Sequence, residues 1–360
     1  MDINRIPGQK KLKESILKQI TDDHWPHTAM IQGGADATGL ALAMALSEQI
    51  MLAPLEEKKS EAARNKIRQL IHPDINYSFP VQGAKNTSDE FLAEWRDLIL
   101  ANPFRTIHDW AEHHATDRGQ ININVAECQN IFRKLSLKAF EGGRKILIIW
   151  GAEYLRKEGN RLLKLLEEPP DHTFIILVTE RMDLVLPTIL SRCQLYRMLP
   201  LSKEDAVAFL IREFELAESK AQEIYVNTDG SIGQMMRLVY PGEELPMEIE
   251  PWIDTITNGD FEGMMAYARE FNRLHKEQQK ILFVGGLAKL RRALAHNEHD
   301  GVIFAGILGD PIDIQIVSEI SNCFTAIIEG LERNAHVQAL IMSWSIKLWK
   351  VFKSRKVVST

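Results

Sequence analysis

The chain has 360 residues, 45% of them hydrophobic and 26% charged, more than one domain of ordinary size requires and the balance of a globular protein. That composition excludes a mainly disordered chain and a fibrous repeat, and no run of about 18 unbroken apolar residues exists to suggest a membrane span. With 43 basic against 49 acidic residues and a formal net charge of -6, a surface that grips nucleic acid throughout is excluded too, because phosphate binding rests on an excess of Lys and Arg.

The N-terminal MDINRIPGQKKLKESI carries charge throughout and lacks the apolar core of a secretory signal. Residues 10–20 predict a helix with Leu12, Ile16, Leu17 and Ile20 on one face. A short strand, Thr28–Gln32, enters a glycine-bearing turn, and residues 40–53 follow as a strongly apolar helix. Residues 54–68 are charged and expected to face solvent. Lys145–Trp150 and Thr173–Thr179 are near-continuous apolar runs, the pattern of strands buried on both faces. Between them GNRLLKLLEEPP predicts a helix that Pro169-Pro170 stops. Strand, helix, strand in that order predicts a βαβ unit and an α/β fold with a parallel sheet.

After Pro200 the texture changes. Residues 202–240 hold two short helical patterns broken at Asp229-Gly230-Ser231-Ile232-Gly233, and beyond 250 only helices are expected. Residues 314–354 predict two helices with a break near Gly330–Ala335. On the last of these, Ile341, Trp344, Leu348 and Val351 recur at spacings that make one apolar face, with Trp349 pointing away beside Phe352. Lys347, Lys350, Lys353, Arg355 and Lys356 read as a solvated helix end. The expected domains are 1–199, 200–245 and 246–360.

Chemistry-bearing residues are sparse. Cys128, Cys193 and Cys323 lie far apart with no CxxC pair, so neither a disulfide framework nor a cysteine zinc site is expected, and a reducing cytoplasm suits them. His72 stands alone. His113 and His114 are adjacent and should point to different faces; no metal is expected. Gly34-Ala-Asp-Ala-Thr-Gly39-Leu40-Ala41 has the frame of the phosphate-binding loop GxxxxGK[ST], but Leu40 and Ala41 stand where a lysine and a magnesium-holding hydroxyl belong. The strand that should end in magnesium-binding acids ends in Trp150-Gly151, with Glu153 the first acid beyond. Two losses in one direction predict no ATP hydrolysis by this chain and no cofactor.

The run Gly159–Pro170, then Thr173–Thr179, then Leu186-Pro-Thr-Ile-Leu-Ser191-Arg192-Cys193-Gln194, resembles the clamp-loader branch of the AAA+ family. His72-Pro73-Asp74 with Phe79-Pro80, and Leu135–Lys138 before Glu141-Gly142, also fit that branch. The resemblance is strong over residues 1–200, weaker to 245 and architectural beyond. It implies an AAA+ P-loop-type module, a small helical lid and an all-helical oligomerisation (collar) domain. It implies that Ser191-Arg192-Cys193 is the family's SRC motif, whose Arg192 completes a neighbouring subunit's ATP site as an arginine finger. Thr179 stands at the sensor-1 position and is expected to act as a strand cap. Gly233 stands where ATP-binding relatives carry a sensor-2 arginine. The four-cysteine zinc module of many relatives is missing, since residues 53–71 contain no cysteine. The implied role is a non-hydrolysing, cytoplasmic member of a hetero-oligomeric ring that loads a sliding clamp on primed DNA. Its partners would be ATPase subunits and a delta subunit, with clamp and DNA met through the assembled complex. An active ATPase with relocated ligands and a direct DNA-binding module are the alternatives.

Overall fold

A computed structural model of the chain describes residues 1–33, 38–55, 57–114, 120–141, 143–228, 230–239, 247–274, 278–280, 282–287, 290, 314–333 and 335–356. They form two compact units, Met1–Glu215 with Ser231–Met236, and Leu216–Gly230 with Arg237–Thr360.

In the first unit α1 (Lys10–Thr21) leads to β1 (Thr28–Gln32), α2 (Thr38–Leu52) and α3 (Glu57–Arg68). Then come β2 (Ile75–Ser78), β3 (Val81–Gln82), α4 (Leu92–Ala101), α5 (Ile107–His114), β4 (Ile121–Asn122) and α6 (Val125–Ser136). β5 (Lys145–Trp150), α7 (Leu163–Glu167), β6 (Thr173–Thr179), α8 (Pro187–Leu190), β7 (Gln194–Arg197) and α9 (Lys203–Phe214) complete it. Five strands make one sheet in the order β2-β5-β6-β1-β7, and every pairing in it is parallel. β5 and β6 are buried at every position, which is why their apolar runs occupy the centre. Met30 of β1 pairs with Leu177 of β6, which fixes the register of the strand that feeds the glycine turn. Helices flank the sheet, giving the P-loop-type α/β module expected from the sequence.

α2 is apolar on all sides because it packs against β1, β5 and β6 as well as α1 and α3. The charged stretch read as solvent-facing is helical over Glu57–Arg68, as α3, and buries Ala63 and Ile67. The helix expected over the GNRLLKLLEEPP run is shorter than its pattern. Ala152–Leu162 follows a tighter 3-10 path interrupted at Arg156 (φ 44°), and only Leu163–Glu167 is α-helical. Gly159 lies in that path against α8: a β-carbon there would sit 2.6 Å from Cδ1 of Ile189.

The second unit contains α10 (Glu218–Asn227), while α11 (Ile232–Val239) spans the division between units. α12 (Glu250–Asn258), α13 (Phe261–Phe271), α14 (Ile314–Glu332) and α15 (Val337–Lys356) follow, with the expected break between the last two at 333–336. Residues 202–240 therefore hold three helices rather than two; of their expected break, Asp229 lies outside the described residues. The core of this unit is aromatic, with the Phe283 ring edge-on to both Trp252 and Phe324 at 5.5 and 5.3 Å.

The apolar face expected on the terminal helix is rotated. Ile341, Ser345, Leu348 and Phe352 are the buried positions, while Trp344, Trp349 and Val351 are only partly covered. A serine enters the face because its hydroxyl is satisfied twice: it accepts from Trp252 Nε1 at 2.8 Å and donates to Ile341 O at 2.8 Å. Trp349 instead packs edge-on to Phe261 at 4.9 Å, and Lys347 and Lys353 lie over the rings of Trp344 and Trp349. No described helix is long and apolar enough to cross a membrane.

Candidate functional site

Ligands in open parallel sheets bind outside the carboxyl ends of the strands. At these ends the described residues of the predicted loop and strand, Leu40, Ala41 and Trp150, are buried. β1 passes through Gly33 toward α2; Gly34 lies outside the described residues, and α2 begins at Thr38. A β-carbon on Gly33 would lie 3.1 Å from the Gly39 backbone, and one on Gly39 would lie 2.9 Å from Val178 Cγ1. Gly39 is therefore required by close packing against β6, with no nucleotide needed to explain it. Leu40 is 1% exposed and Ala41 0%. Neither offers an ammonium or a hydroxyl, and both are absorbed into the core.

The end of β5 is closed in the same way. Trp150 is 2% exposed, and its ring centre lies 6.3 Å from that of Trp95. Trp95 stacks on Phe79 at 4.9 Å, and Phe79 meets Trp110 edge-on at 5.1 Å. Trp110 donates from Nε1 to Pro80 O at 2.7 Å. An aromatic cluster thus packs around the end of β5. Gly151 turns the chain at φ +77°, where a β-carbon would meet Ile107 Cδ1 at 3.0 Å.

Glu153 folds back rather than outward. It is 5% exposed, accepts from the Glu180 N–H at 3.3 Å and is hydrogen-bonded with the Thr179 hydroxyl. Thr179 Oγ1 in turn accepts from Arg181 N–H at 3.2 Å, the strand-capping part expected of it. Burial raises the Glu153 carboxyl above its ordinary range. Glu180 accepts from Ile107 N–H at 3.0 Å and is pushed up to about 8, first by burial and then by Glu153 and Asp109. Glu153 thus ties the turn after β5 to the residue after β6, and Glu180 ties that residue to the start of α5. Gly233 is buried in α11 and has no side chain to extend.

The two segments that carry the family resemblance meet in space. α8 packs on the 152–162 segment through Gly159 and Ile189, and Thr188 Oγ1 hydrogen-bonds Asn160 Oδ1 at 3.1 Å. At the far end of the same contact Arg192 pairs through Nε with Glu167, the last residue of α7. Arg192 Nη1 also donates to Thr188 O at 2.9 Å and to Ser191 Oγ at 3.3 Å. The Arg192 side chain remains 31% exposed. Its Nη2 makes no hydrogen bond to a described residue. Cys193 beside it is a thiol whose pKa burial pushes up to about 12. Burial likewise raises Cys128 to about 11 and Cys323 further still. The Glu167–Arg192 pair is the site feature that sequence reasoning missed; both residues lie in recognised motifs, but nothing in their spacing joins them.

The histidines are bound up in local structure. His72 Nδ1 accepts from Asp74 N–H at 3.2 Å and Nε2 faces Glu141 at 3.2 Å, with burial lowering its pKa. Asp74 accepts from the N–H groups of Phe140 and Glu141 at 2.6 and 2.9 Å, so the His72-Pro73-Asp74 and Glu141 segments lock together; Gly142 lies outside the described residues. His114 stacks on Trp110 at 4.7 Å and accepts from Gln82 N–H at 3.2 Å. His113 and His114 differ in burial, as adjacent helical residues should, yet both lie within 4 Å of Glu94 at 3.5 and 3.9 Å. Among the described residues no group of three His, Cys, Asp or Glu side chains is arranged to hold a metal ion.

Residues 8–202, more than half of the chain, match the family described as DNA polymerase III, delta subunit. The chain is 31% identical over 125 residues to the DNA polymerase III subunit delta' of Escherichia coli (strain K12), covering 34% of this chain and 37% of that protein. It is 35% identical over 89 residues to the subunit delta' of Bacillus subtilis (strain 168), 24% of this chain and 27% of the other. It is also 29% identical over 127 residues to the DNA polymerase III subunit gamma of Buchnera aphidicola subsp. Acyrthosiphon pisum, 34% of this chain and 35% of that one. The matched stretches span between about a quarter and two fifths of these relatives' length.

Proposed function

The chain belongs to the DNA polymerase III delta-subunit family, and from that premise we propose that it is the delta-prime-type, non-hydrolysing structural subunit of a clamp loader. In this reading it joins ATPase subunits and a delta subunit in a hetero-oligomeric ring. It helps place a sliding clamp on primed DNA, and it supplies Arg192 to a neighbour's nucleotide. We divide it accordingly into a module with a degenerate phosphate loop (1–199), a helical lid (200–245) and a helical collar (246–360).

The observation that carries the proposal is the contrast between two places in the first unit. Where a nucleotide would sit in cis, Leu40, Ala41 and Trp150 are buried apolar groups. Far along the chain, between α8 and β7, Arg192 is partly exposed, and its Nη2 makes no hydrogen bond to a described residue. A guanidinium offered outward can offset charge on a phosphoryl group as a transition state forms, without any nucleotide in its own chain. Co-purification from the source cell tests the assembly: the chain should be recovered with the other clamp-loader subunits. Recovery as a free chain, while those subunits form a complete ring without it, would reject the proposal.

A further inference from the structure

We propose that Glu167 is a positioning residue for Arg192, holding the guanidinium through Nε so that Nη2, which has no partner among the described residues, can donate to a phosphate of the neighbouring subunit. This rests on the arginine-finger reading above and adds to it a second residue with a separate job.

A guanidinium has five N–H donors. On Arg192 Nε is spent on Glu167, and Nη1 on Thr188 O at 2.9 Å and Ser191 Oγ at 3.3 Å. The two on Nη2 are left over, with no hydrogen bond to a described residue. A free arginine side chain samples many rotamers, and ordering it during the reaction would oppose catalysis. Here the ordering is done beforehand by partners bonded to Nε and Nη1, with the Nη2 hydrogens left unbonded to any described residue. Phosphate contact and Glu167 contact can therefore coexist, which distinguishes a positioner from a latch that must be broken.

Glu167 is itself fixed by the fold. It ends α7, whose Leu165 and Leu166 are buried and whose Leu166 carbonyl accepts from the Thr28 hydroxyl at 2.9 Å in β1. Pro169-Pro170 prevents the helix from continuing past it. A carboxylate gains nothing from the carboxyl end of its own helix, where the backbone partial charge is negative. What stabilises Glu167 there is Arg192. The position is thus set by the strand that enters the vestigial loop, through α7, to the guanidinium.

The test uses the assembled clamp loader containing this chain as Glu167→Ala, Glu167→Gln, Arg192→Ala or the double Ala variant. Assembly and clamp- and DNA-stimulated ATPase are measured against ATP concentration. Glu167→Ala should lower kcat by about three- to tenfold, with KM for ATP changed by less than about twofold and assembly intact. Glu167→Gln should recover at least half of the loss, because its amide oxygen still accepts from Nε. In the Arg192→Ala background Glu167→Ala should cause no further loss. Wild-type or raised kcat in Glu167→Ala rings, with Arg192→Ala rings slow, would overturn the positioning role and leave the finger standing. Full ATPase in intact Arg192→Ala rings would overturn the finger and the positioner together. Additive losses in the double variant, or failed assembly of both Glu167 variants, would make Glu167 a structural residue and overturn the proposal.

Discussion

The indole of Trp150 lies against that of Trp95, their ring centres 6.3 Å apart at 59°, at the end of β5. Tyr77 and Phe79 also pack on Trp95 at 4.9 Å, so the cluster is anchored from β2 and the residue following it. Removing the tryptophan would leave a hole among rings rather than an opened metal site.

On this basis the isolated chain should bind ATP weakly and not turn it over, and calorimetry giving a micromolar Kd would contradict that. Leu40→Lys with Ala41→Thr should still yield no turnover. The lysine would enter a site that is 1% exposed, where an amine loses its hydration without a partner. The double variant should therefore be destabilised, by about 2–4 kcal/mol, read as a lower melting temperature.

Arg192→Ala should leave the chain folded and competent to join the ring, since the residue is partly exposed and its pair with Glu167 is a surface one. Stimulated ATPase of the ring should fall. Loss at the one affected site is expected on the order of 10³ or more, and the whole-ring loss is smaller where other subunits complete the remaining sites. Arg192→Lys should rescue only in part, keeping charge but losing the planar fork. Assembly, melting and ATPase on one preparation decide it; full ATPase in intact rings would end the finger reading.

Stability should fall as pH rises toward 8. Glu180 has an ordinary value of 4.5 and a folded value of about 8, so between those two the native state keeps a proton that the unfolded chain has released. The unfolded state then binds fewer protons, and stability declines through that window. Glu153, raised in the same direction, adds to it. Glu180→Gln mimics the protonated form and should flatten the profile. Near pH 5 the variant should match the parent, and near pH 8.5 it should be more stable by on the order of 1–3 kcal/mol. Thermal melts across that range would show it, and parallel profiles would refute it.

Ser345→Ala should cost the second unit about 1–3 kcal/mol, because the Trp252 indole N–H, bonded at 2.8 Å in the parent, would lose its acceptor in a dry core. Combining it with Trp252→Phe should cost less than the two changes summed. Denaturation followed by tryptophan fluorescence measures the single variant; far-UV circular dichroism serves the double one.

The central strands were legible because β5 and β6 are unbroken apolar runs buried on both faces, a pattern with few other outcomes. The edge strands were not. Ile75–Ser78 and Gln194–Arg197 are four residues each and half polar, and only the sheet beside them makes them strands. The aromatic cluster was hidden for a different reason: Tyr77, Phe79, Trp95, Trp110 and Trp150 come from separate elements, so no local period reveals them. That Leu40, Ala41 and Trp150 are apolar is plain in the sequence, and that all three are buried comes from the fold. The face expected on the terminal helix left out Ser345, a polar residue that is buried because a tryptophan from α12 satisfies its hydroxyl.

The state of the thiols makes the chain a convenient carrier for reporters. Cys128 and Cys193 are raised by burial to about 11 and about 12, and Cys323 is raised further. Near neutral pH almost none of this sulfur is thiolate, so maleimides and mild oxidants meet little reactive nucleophile. A cysteine introduced at an exposed position, such as Lys138 or Glu262, would then be modified selectively in the native protein. Fluorophores or spin labels could be installed without first replacing the natural cysteines, two of which fill core volume, and ring assembly could be followed by distance measurements on an otherwise unaltered chain.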